Sequence, residues 1–458
     1  MRSVGLTQTP AFDSATPRSL SSAAEPAGSA EYGGERLRVW GLRSALSLLD
    51  QGLTSGAGFG VNLLLARWMP TAVYGAFAVA YAGYLFVSGF HNVLVVEPLS
   101  VQGPSRYADN LQAYFRTQII VHAFLVSALS AVTLTIGLAL RWFLPGSPMV
   151  GAVLGGGLAL PFLLLLWLAR RMCYVAQRPS VALLGSGTYP LLAFGGFIAL
   201  EHLGKLNPFT AFVLMSAGSG VAAVLLLWRL GLGKGPWKRR SSLSCGSVCR
   251  DNWSYGNWLT LTTVLSWFSV QAQVFLAASL LGLTAAGTLR ALQLPALAMS
   301  QVIAAGIQII LPSLSRELGR GDFHRLHRKV VVTSTFLATV GALFVLSLLM
   351  FSSQAEQLFY GGKYKAHAWL LPVLGLVPVF TGFSAGFSFA LRALGKSAHE
   401  LLAYVLSSLT ALVTSAVLMP HWGLPGGVAS VVSSTGVLAA AVYFSYRRMG
   451  LQGESKSV

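Results

Sequence analysis

Residues 49–75 read LDQGLTSGAGFGVNLLLARWMPTAVYG and decide how the chain is organised. Asp50 stands at the edge of an otherwise uncharged span that is long enough to cross a bilayer, which takes roughly 20 apolar residues in a helix. Asn62 and Arg67 follow, and then Pro70 and Tyr74-Gly75 predict a tight turn. Three glycines recur at every fourth position and share one helix face, where a neighbouring helix can approach backbone to backbone: Gly52, Gly56 and Gly60. The stretch predicts a membrane helix with a close-packing face and an immediate hairpin into a second helix.

A weaker copy of this pattern is FLAASLLGLTAAG, residues 275–287. Aligning Gly287 with Gly75 also aligns Ala278 with Ala66, at an offset of 212 residues, close to half the chain. This offset indicates a tandem duplication, and two similar membrane halves with a substrate path between them are a usual transporter plan. The alternative is chance, since any two apolar hairpins look somewhat alike.

The composition of the 458 residues is that of a protein in lipid. Hydrophobic residues make up 54% and charged residues 10%, where a soluble domain has about 25% charged residues, and the mean hydropathy is +0.65. The net charge of +18 would indicate nucleic-acid binding in a soluble protein. Here the basic residues are better explained as topology signals, because cytoplasmic loops of membrane proteins are enriched in Lys and Arg. No nucleic-acid module is evident, so we expect no nucleic acid as a partner.

Apolar segments divide the chain into two sets of six spans, which predicts an all-α polytopic membrane protein of about 12 transmembrane helices. The spans lie near 44–66, 74–101, 117–140, 149–169, 180–200, 208–230, 258–281, 286–312, 330–351, 368–391, 400–420 and 426–446. The domains expected from them are a disordered cytoplasmic tail at 1–38, an N-terminal six-helix bundle at 39–230, a cytoplasmic linker at 231–257, a C-terminal six-helix bundle at 258–446 and a cytoplasmic tail at 447–458.

The basic residues give these spans an orientation. With the N-terminus inside, all but six of the 32 Lys and Arg residues fall in cytoplasmic segments. The six exceptions are Arg67, Arg141, Lys205, Arg290, Lys363 and Lys365. One span more or fewer would move later basic loops to the wrong side, so the pattern predicts an even number of spans and both termini in the cytoplasm.

No enzyme motif emerges, so we expect no catalytic residue, no cofactor and no metal. The sequence contains no H-E-x-x-H, no P-loop of the form G-x-x-x-x-G-K-[ST], and no G-x-S-x-G in a strand-to-helix context. If the protein transports a substrate, the lack of a P-loop predicts that ATP hydrolysis on this chain does not drive that transport. Cys245 and Cys249 form a C-x-x-x-C pair, but without a second Cys or His pair they do not predict a zinc site.

Acidic side chains at membrane depth are costly and usually face a cavity or a partner. Asp50 lies near the cytoplasmic end of the first span, and Glu97 lies in the second span after His91 and Asn92. Pro98 removes a backbone donor beside Glu97, so a kink or broken helix there would present the carboxylate to a cavity. We predict that Asp50 and Glu97 couple transport to an ion. For Glu97 the alternative is a structural interhelical or interfacial role.

Two arginines supply the opposite charge. Arg67 lies at the external end of the first span and Arg290 early in the eighth. A guanidinium offers a planar fork to phosphate oxygens, so arginines from both halves predict a binding site for an anionic headgroup. The alternative is that each extends to the outer interface, as long basic side chains near helix ends do. Asn62, Gln271 and Gln301 are further candidates for substrate binding, with interhelical packing as the competing role of the glutamines.

Two segments resemble the polysaccharide-export branch of the multidrug/oligosaccharidyl-lipid/polysaccharide (MOP) flippase superfamily. They are QGLTSGAGFGVNLLLARWMPTAVYGAF at 51–77 and FLAASLLGLTAAGTLRALQLPALAMSQVIAAGIQIILPSLSRE at 275–317. The second has Ala286-Gly287 where family members often have Tyr-Gly. The resemblance covers about residues 40–448 and implies two six-helix bundles around a central cavity that opens alternately to the two sides of the membrane.

By this resemblance the protein is expected to be a flippase of undecaprenyl-diphosphate-linked oligosaccharide in the bacterial inner membrane, for exopolysaccharide, O-antigen or capsule biosynthesis. Arginines would meet the diphosphate, polar residues the sugars, and the lipid tail would stay in the bilayer. The implied partners are this substrate, membrane lipids and polysaccharide polymerase or export machinery. One alternative is an ion-coupled multidrug exporter of the same superfamily, against which the arginines weigh. Another is a membrane polysaccharide polymerase or ligase, which would carry a larger external loop.

Overall fold

The computed structural model describes residues 29–232, 243–319 and 323–454, and within these ranges the chain consists of helices and short turns without a strand. The chain divides into two units, Met1–Ala45 and Leu46–Val458. Of the tail predicted to be disordered at 1–38, residues 1–28 lie outside the described residues, and Ser29 begins the first helix. The contacts described below all belong to the unit Leu46–Val458.

The helices are long and follow one another through turns of a few residues. They are α1 (Ser29–Trp68), α2 (Thr71–His91), α3 (Glu97–Ser105), α4 (Leu111–Phe143), α5 (Pro148–Val175), α6 (Pro179–His202), α7 (Pro208–Arg229), α8 (Cys245–Leu280), α9 (Leu283–Gly319), α10 (Phe323–Tyr360), α11 (Leu371–Leu374), α12 (Leu376–Ala393), α13 (Ser397–Trp422) and α14 (Leu424–Glu454). A π-helical turn, Asn92–Val96, joins α2 to α3.

Ten of the described helical stretches are long and apolar enough to cross a membrane, and they coincide with ten of the twelve spans expected from the sequence. The other two expected spans, 44–66 and 286–312, lie in α1 and α9, where some side chains are outside the described residues. A chain with this many apolar helices is a multi-pass membrane protein. The predicted all-α polytopic fold class is confirmed.

We call α1–α7 the first half of the chain and α8–α14 the second half. Helix α5 is at the centre of the first half, where it packs against α4 and α7. Pro161 in the middle of α5 lacks the amide that would bond to the Gly157 carbonyl, and Ser130 of α4 donates to this carbonyl at 2.6 Å instead. Gly155 lets α7 approach closely, since a Cβ at that position would lie 2.9 Å from the Phe209 Cα. In the second half α13 packs against α8 and α14, and α10 packs against α12.

The two halves meet where α2 crosses α9, at Gly75 and Gly287. A Cβ on Gly75 would lie 1.9 Å from the Leu283 carbonyl oxygen, and one on Gly287 would lie 2.3 Å from the Thr71 carbonyl oxygen. Only residues without a side chain allow this approach. The two glycines aligned by the internal repeat are therefore in contact. We call this end of the molecule, which carries the turns at Met69–Pro70 and Leu281–Gly282, the hairpin side, and the opposite end the basic side.

The close-packing face predicted for α1 is wrong at two of its three glycines. Within the described chain, a Cβ on Gly52 or Gly56 would meet no atom within 4 Å. A Cβ on Gly60 would lie 2.8 Å from the Phe194 ring, which is a side chain rather than a backbone. The i, i+4 spacing fixes which residues share a helix face, but it does not place a second helix against that face.

On the basic side, α8 begins inside the segment 231–257, for which the sequence predicts a cytoplasmic linker. Residues 233–242 of that segment lie outside the described residues, and the helix begins at Cys245. Its first turns bind the first half: Asp251 pairs with Arg106 at 2.7 Å and accepts the Tyr107 hydroxyl at 2.7 Å. A Cβ on Gly256 would lie 2.5 Å from the Val93 carbonyl oxygen in the π-helical turn.

Candidate functional site

Arg290 is buried at the crossing of the two halves, one helical turn beyond Gly287, with 6% of its surface exposed. It lies within electrostatic range of Tyr74 and Tyr81 on α2. The Tyr81 hydroxyl in turn lies beside Asn62 of α1. We call Asn62, Tyr74, Tyr81 and Arg290 the central polar cluster. It combines two residues predicted from the sequence, Asn62 and Arg290, and draws side chains from both halves.

The central polar cluster contains polar atoms that lack partners. The Asn62 Oδ1, the Tyr74 hydroxyl and the Arg290 Nε are buried and have no hydrogen-bond partner among the described residues. The Asn62 amide nitrogen donates to the Gly58 carbonyl at 2.9 Å. No carboxylate in the described ranges forms an ion pair with Arg290. An unpaired buried charge costs several kcal/mol, so this arrangement is suited to an anionic group that carries hydrogen-bonding oxygens.

The turn Gly361–Tyr364 lies over the end of α1 on the hairpin side. The Lys363 ammonium donates to the carbonyls of Ala66 and Met69, with 2.9 Å to the Ala66 oxygen. The Tyr364 hydroxyl donates to the same Ala66 oxygen at 3.1 Å. A positive charge is favourable at a helix C-terminus, where carbonyls lack partners. Burial lowers the pKa of Lys363, and the lysine still links the second half to the first.

Arg67 lies at the rim of this contact. Its side chain is exposed, and Nη1 donates to the Leu358 carbonyl at 3.1 Å. The structure thus places Arg67 on a loop contact and Arg290 in the buried cluster. Glu356 is fully buried beneath the same turn, and its Oε1 accepts the Tyr364 amide at 2.7 Å. Its Oε2 is without a partner in the described part of the chain.

Asp50 is fully buried between α1, α5 and α6, and both of its carboxylate oxygens are engaged. Oδ2 accepts from Arg170 Nη2 and from the Tyr174 hydroxyl, each at 2.5 Å, and Oδ1 accepts from the Ser186 hydroxyl at 2.5 Å. The Thr54 hydroxyl shares its one hydrogen between the Asp50 carbonyl oxygen at 2.9 Å and Ser186 Oγ at 3.1 Å. The structure therefore puts Asp50 in an ion pair inside the first half, and its role in ion coupling stays a prediction.

Glu97 lies at the start of α3, immediately after the π-helical turn, where the sequence predicted a kink or break. Its Oε1 accepts from the Asn92 amide at 2.9 Å. Arg171 from the first half and Arg392 from the second lie within electrostatic range of the carboxylate. Arg392 is itself held by Glu400 through two bonds of 2.6 Å. Glu97 is thus half-buried at the junction of the two halves on the basic side.

The two predicted glutamines are in different surroundings. Gln271 on α8 is buried, and its Oε1 has no partner within the described ranges. Gln301 is exposed on α9, 11 residues from Arg290, or about 16 Å along the helix axis. The structure therefore does not bring Gln301 into the central polar cluster. Tyr74 and Tyr81 are candidates that the structure adds to those predicted from the sequence, although their spacing of seven residues already places both on one helix face.

The described residues contain no group of three or more His, Cys, Asp or Glu side chains placed to hold a metal ion. The cysteines are free thiols: Cys173 is buried, Cys245 partly exposed and Cys249 exposed. The chemistry available at the junction of the halves is therefore that of guanidinium, carboxylate, hydroxyl and amide groups, which bind and release ligands by charge and hydrogen bonds.

Comparison with known proteins agrees with this arrangement. Residues 211–369 match the family model of a polysaccharide biosynthesis protein. No curated protein sequence matches the chain. An inward-facing multidrug-resistance MATE family transporter of the MOP superfamily has a TM-score of 0.72 at 14% identity, covering 89% of this chain and 96% of that chain.

Two further solved structures share the fold. The lipid II flippase MurJ in an inward closed conformation has a TM-score of 0.69 at 13% identity, covering 89% of this chain and 87% of that one. A MOP superfamily transporter from Pyrococcus furiosus, described by the reverse polarity of its binding pocket, has a TM-score of 0.59 at 13% identity, covering 89% and 94%. The chain therefore has the fold of these solved transporters, and residues 211–369 resemble a polysaccharide biosynthesis family.

Proposed function

We propose that the protein is a flippase that carries an undecaprenyl-diphosphate-linked oligosaccharide across the bacterial inner membrane by alternating access, in the biosynthesis of exopolysaccharide, O-antigen or capsule. The observation that carries this proposal is Arg290, a buried guanidinium that no carboxylate in the described part of the chain neutralises. A diphosphate supplies the missing negative charge, and its oxygens accept from the guanidinium.

The matched family supports this substrate class, whereas the fold is shared with multidrug MATE transporters and with the lipid II flippase MurJ alike. A site for cations would need unpaired acids near Arg290, whereas the central polar cluster offers one cation, two hydroxyls and an amide. We place the basic side in the cytoplasm, because Lys and Arg are enriched in cytoplasmic loops. The substrate would then enter from the basic side and leave from the hairpin side.

The test uses a host in which the gene has been deleted and then restored as the wild type or as a variant. Surface polysaccharide and the sidedness of the lipid-linked pool are measured together. Arg290→Gln is expected to reduce surface polymer at least about tenfold and to trap completed units on the cytoplasmic face, since charge-assisted hydrogen bonds contribute about 1.5–3 kcal/mol each. Arg290→Lys retains the positive charge but lacks the planar guanidinium, so its amount of surface polymer should lie between those of the wild type and Arg290→Gln.

Arg141→Gln is the matched control, because Arg141 is an exposed arginine on the hairpin side with no assigned role. It should behave as the wild type. Units that reach the outer face but stay unpolymerised in the deletion host would indicate a polymerase or ligase. No change in either pool, together with greater sensitivity to cationic compounds, would indicate a multidrug exporter and overturn the proposal.

A further inference from the structure

His91 and His122 form a hydrogen-bonded pair in the interior of the first half. His91 Nε2 and His122 Nδ1 are 2.9 Å apart, with the rings 5.0 Å apart and nearly perpendicular. His91 is fully buried and His122 is 4% exposed. The backbone of Pro161, at the midpoint of α5, lies beside the His122 ring. The pair therefore lies deep in the membrane-spanning part of the molecule.

The partners of the pair determine where its protons lie. Since His122 Nδ1 faces His91, the His122 nitrogen available to the Pro161 carbonyl is Nε2, and we assign the hydrogen of the neutral ring to Nε2 because a carbonyl only accepts. His122 Nδ1 is then an acceptor, and His91 Nε2 carries the hydrogen between the rings. His91 Nδ1 is left as a bare lone pair. It is buried and without a partner among the described residues.

The helices packed around the pair bring few charges toward it. The nearest in sequence are Glu97 beyond α2, Arg116 on α4, Arg170 on α5, Arg229 at the end of α7 and Asp251 on α8. Arg170 is paired with Asp50, and Asp251 with Arg106. Among the described residues no carboxylate forms an ion pair with His91 or His122. A charge gained by the pair would therefore be uncompensated in this arrangement.

The pair is next to contacts between the two halves. The π-helical turn begins directly after His91, and its Val93 carbonyl is the atom that a Cβ on Gly256 of α8 would meet. Gln118, one turn before His122 on α4, exchanges two hydrogen bonds of 3.1 Å with Asn252 of α8. A change in the position of either histidine would therefore displace residues that contact α8 of the second half.

We propose that the His91–His122 pair is a proton-binding site whose occupancy shifts the arrangement of the two halves. A hydronium ion transfers one proton to the lone pair of His91 Nδ1: an N–H bond forms, an O–H bond breaks, and a water molecule is released while the positive charge passes to the ring. The imidazolium then donates through Nε2 to His122, and His122 donates to Pro161. In the present arrangement the new N–H has no acceptor. Proton binding therefore favours a different arrangement, in which water or an acceptor reaches Nδ1.

The test follows the separation of the halves on the hairpin side. Spin labels are placed at Lys205→Cys and Gln354→Cys, two exposed positions in different halves. Cys245 and Cys249 are replaced by serine, and distances are measured in lipid nanodiscs from about pH 8 to about pH 5. In the wild type the longer-distance population is expected to grow on acidification, by up to about tenfold per pH unit, the limit for one proton.

His91→Gln and His122→Gln should each abolish this pH response, because each removes one ring of the pair. His421→Gln, which changes an exposed histidine, should keep it. If His91→Gln does not fold, His91→Asn is the second variant. An unchanged response in both pair variants, or no response in the wild type, overturns the inference.

Only one part of this inference rests on the proposed function: the role of the bound proton as the ion that drives transport. The distance measurement needs no substrate, so its failure leaves the flippase proposal intact. A normal pH response together with unchanged lipid-linked pools in the deletion host would instead refute the flippase proposal and retain the proton site.

Discussion

At the scale of single residues, the buried charged side chains of this protein differ in whether they have a partner of opposite charge. Asp50 has an arginine and two hydroxyls on its two oxygens. Arg290 has no carboxylate partner in the described ranges, although it is buried almost as completely. A buried ion pair that is fully hydrogen-bonded contributes to structure, whereas a buried charge without a partner is more often functional. This contrast separates the two residues that the sequence had ranked together as ionisable groups near membrane depth.

We predict that Asp50→Asn destabilises the protein, because it leaves Arg170 buried without a counter-charge. Removing one member of a buried pair costs about 3–5 kcal/mol, and the side chains here are 0% and 12% exposed. The melting temperature of the purified protein in detergent measures the loss. Glu201→Gln, an exposed acid, is the control and should melt as the wild type does. The double variant Asp50→Asn with Arg170→Gln should recover part of the loss.

At the scale of helices, α2 and α9 are joined through their backbones. Gly75 and Gly287 have no side chains to separate the two helices. Lys363 and Tyr364 donate hydrogen bonds to the Ala66 carbonyl near the adjoining end of α1. The same α2 changes to π-helical geometry after His91, where the Glu97 amide bonds to the Asn92 carbonyl five residues back. Such π-turns are frequent at functional sites. Helix α2 is therefore rigidly held at the hairpin side and irregular near the basic side.

We predict that Gly75→Ala destabilises the protein by about 1–3 kcal/mol, the usual cost of overpacking, because its methyl group would collide with the Leu283 carbonyl. Gly56→Ala is the matched control in α1. A Cβ there meets no described atom within 4 Å, and an alanine in a helix is up to about 1 kcal/mol more favourable than a glycine. The two variants should shift the melting temperature in opposite directions. A Gly75→Ala protein as stable as the wild type would contradict the tight crossing.

At the scale of the unit Leu46–Val458, the halves are held together at both ends. The hairpin side has the glycine crossing and the Lys363 contact. On the basic side, α8 pairs with the first half through Asp251 and Asn252, and Glu97 lies within electrostatic range of Arg392. Alternating access would have to exchange contacts at one end for contacts at the other. Glu97 is the carboxylate best placed to respond to such an exchange.

We predict that Glu97→Gln is made at normal levels and loses transport, since the amide keeps the shape of the side chain but neither binds a cation nor attracts Arg392 electrostatically. The measurement is the lipid-linked pool and surface polymer in the deletion host. Glu201→Gln serves again as the exposed control. Transport at the full rate by Glu97→Gln would remove Glu97 from ion coupling and leave it a structural role through Asn92.

Much of the architecture followed from local sequence. Apolar spans identify membrane helices because lipid offers no hydrogen bonds to the backbone, so each span must satisfy its own. The repeat of a hairpin after 212 residues indicated two related halves, and Pro98 marked the irregular end of α2. The i, i+4 spacing of three glycines in α1 also predicts a close-packing face, but a Cβ on two of these glycines would meet no atom of another helix within 4 Å in the described chain.

The sequence by itself determined the helical membrane fold and the candidate status of Asn62 and Arg290, and its internal repeat predicted two similar halves. Only the tertiary structure decided that Gly75 meets Gly287, that Asp50 is neutralised while Arg290 is not, and that His91 pairs with His122. The physical reason is that hydropathy and helical period act along a few turns of chain. Whether a polar group has a partner depends on side chains from other helices, whose positions are set by packing.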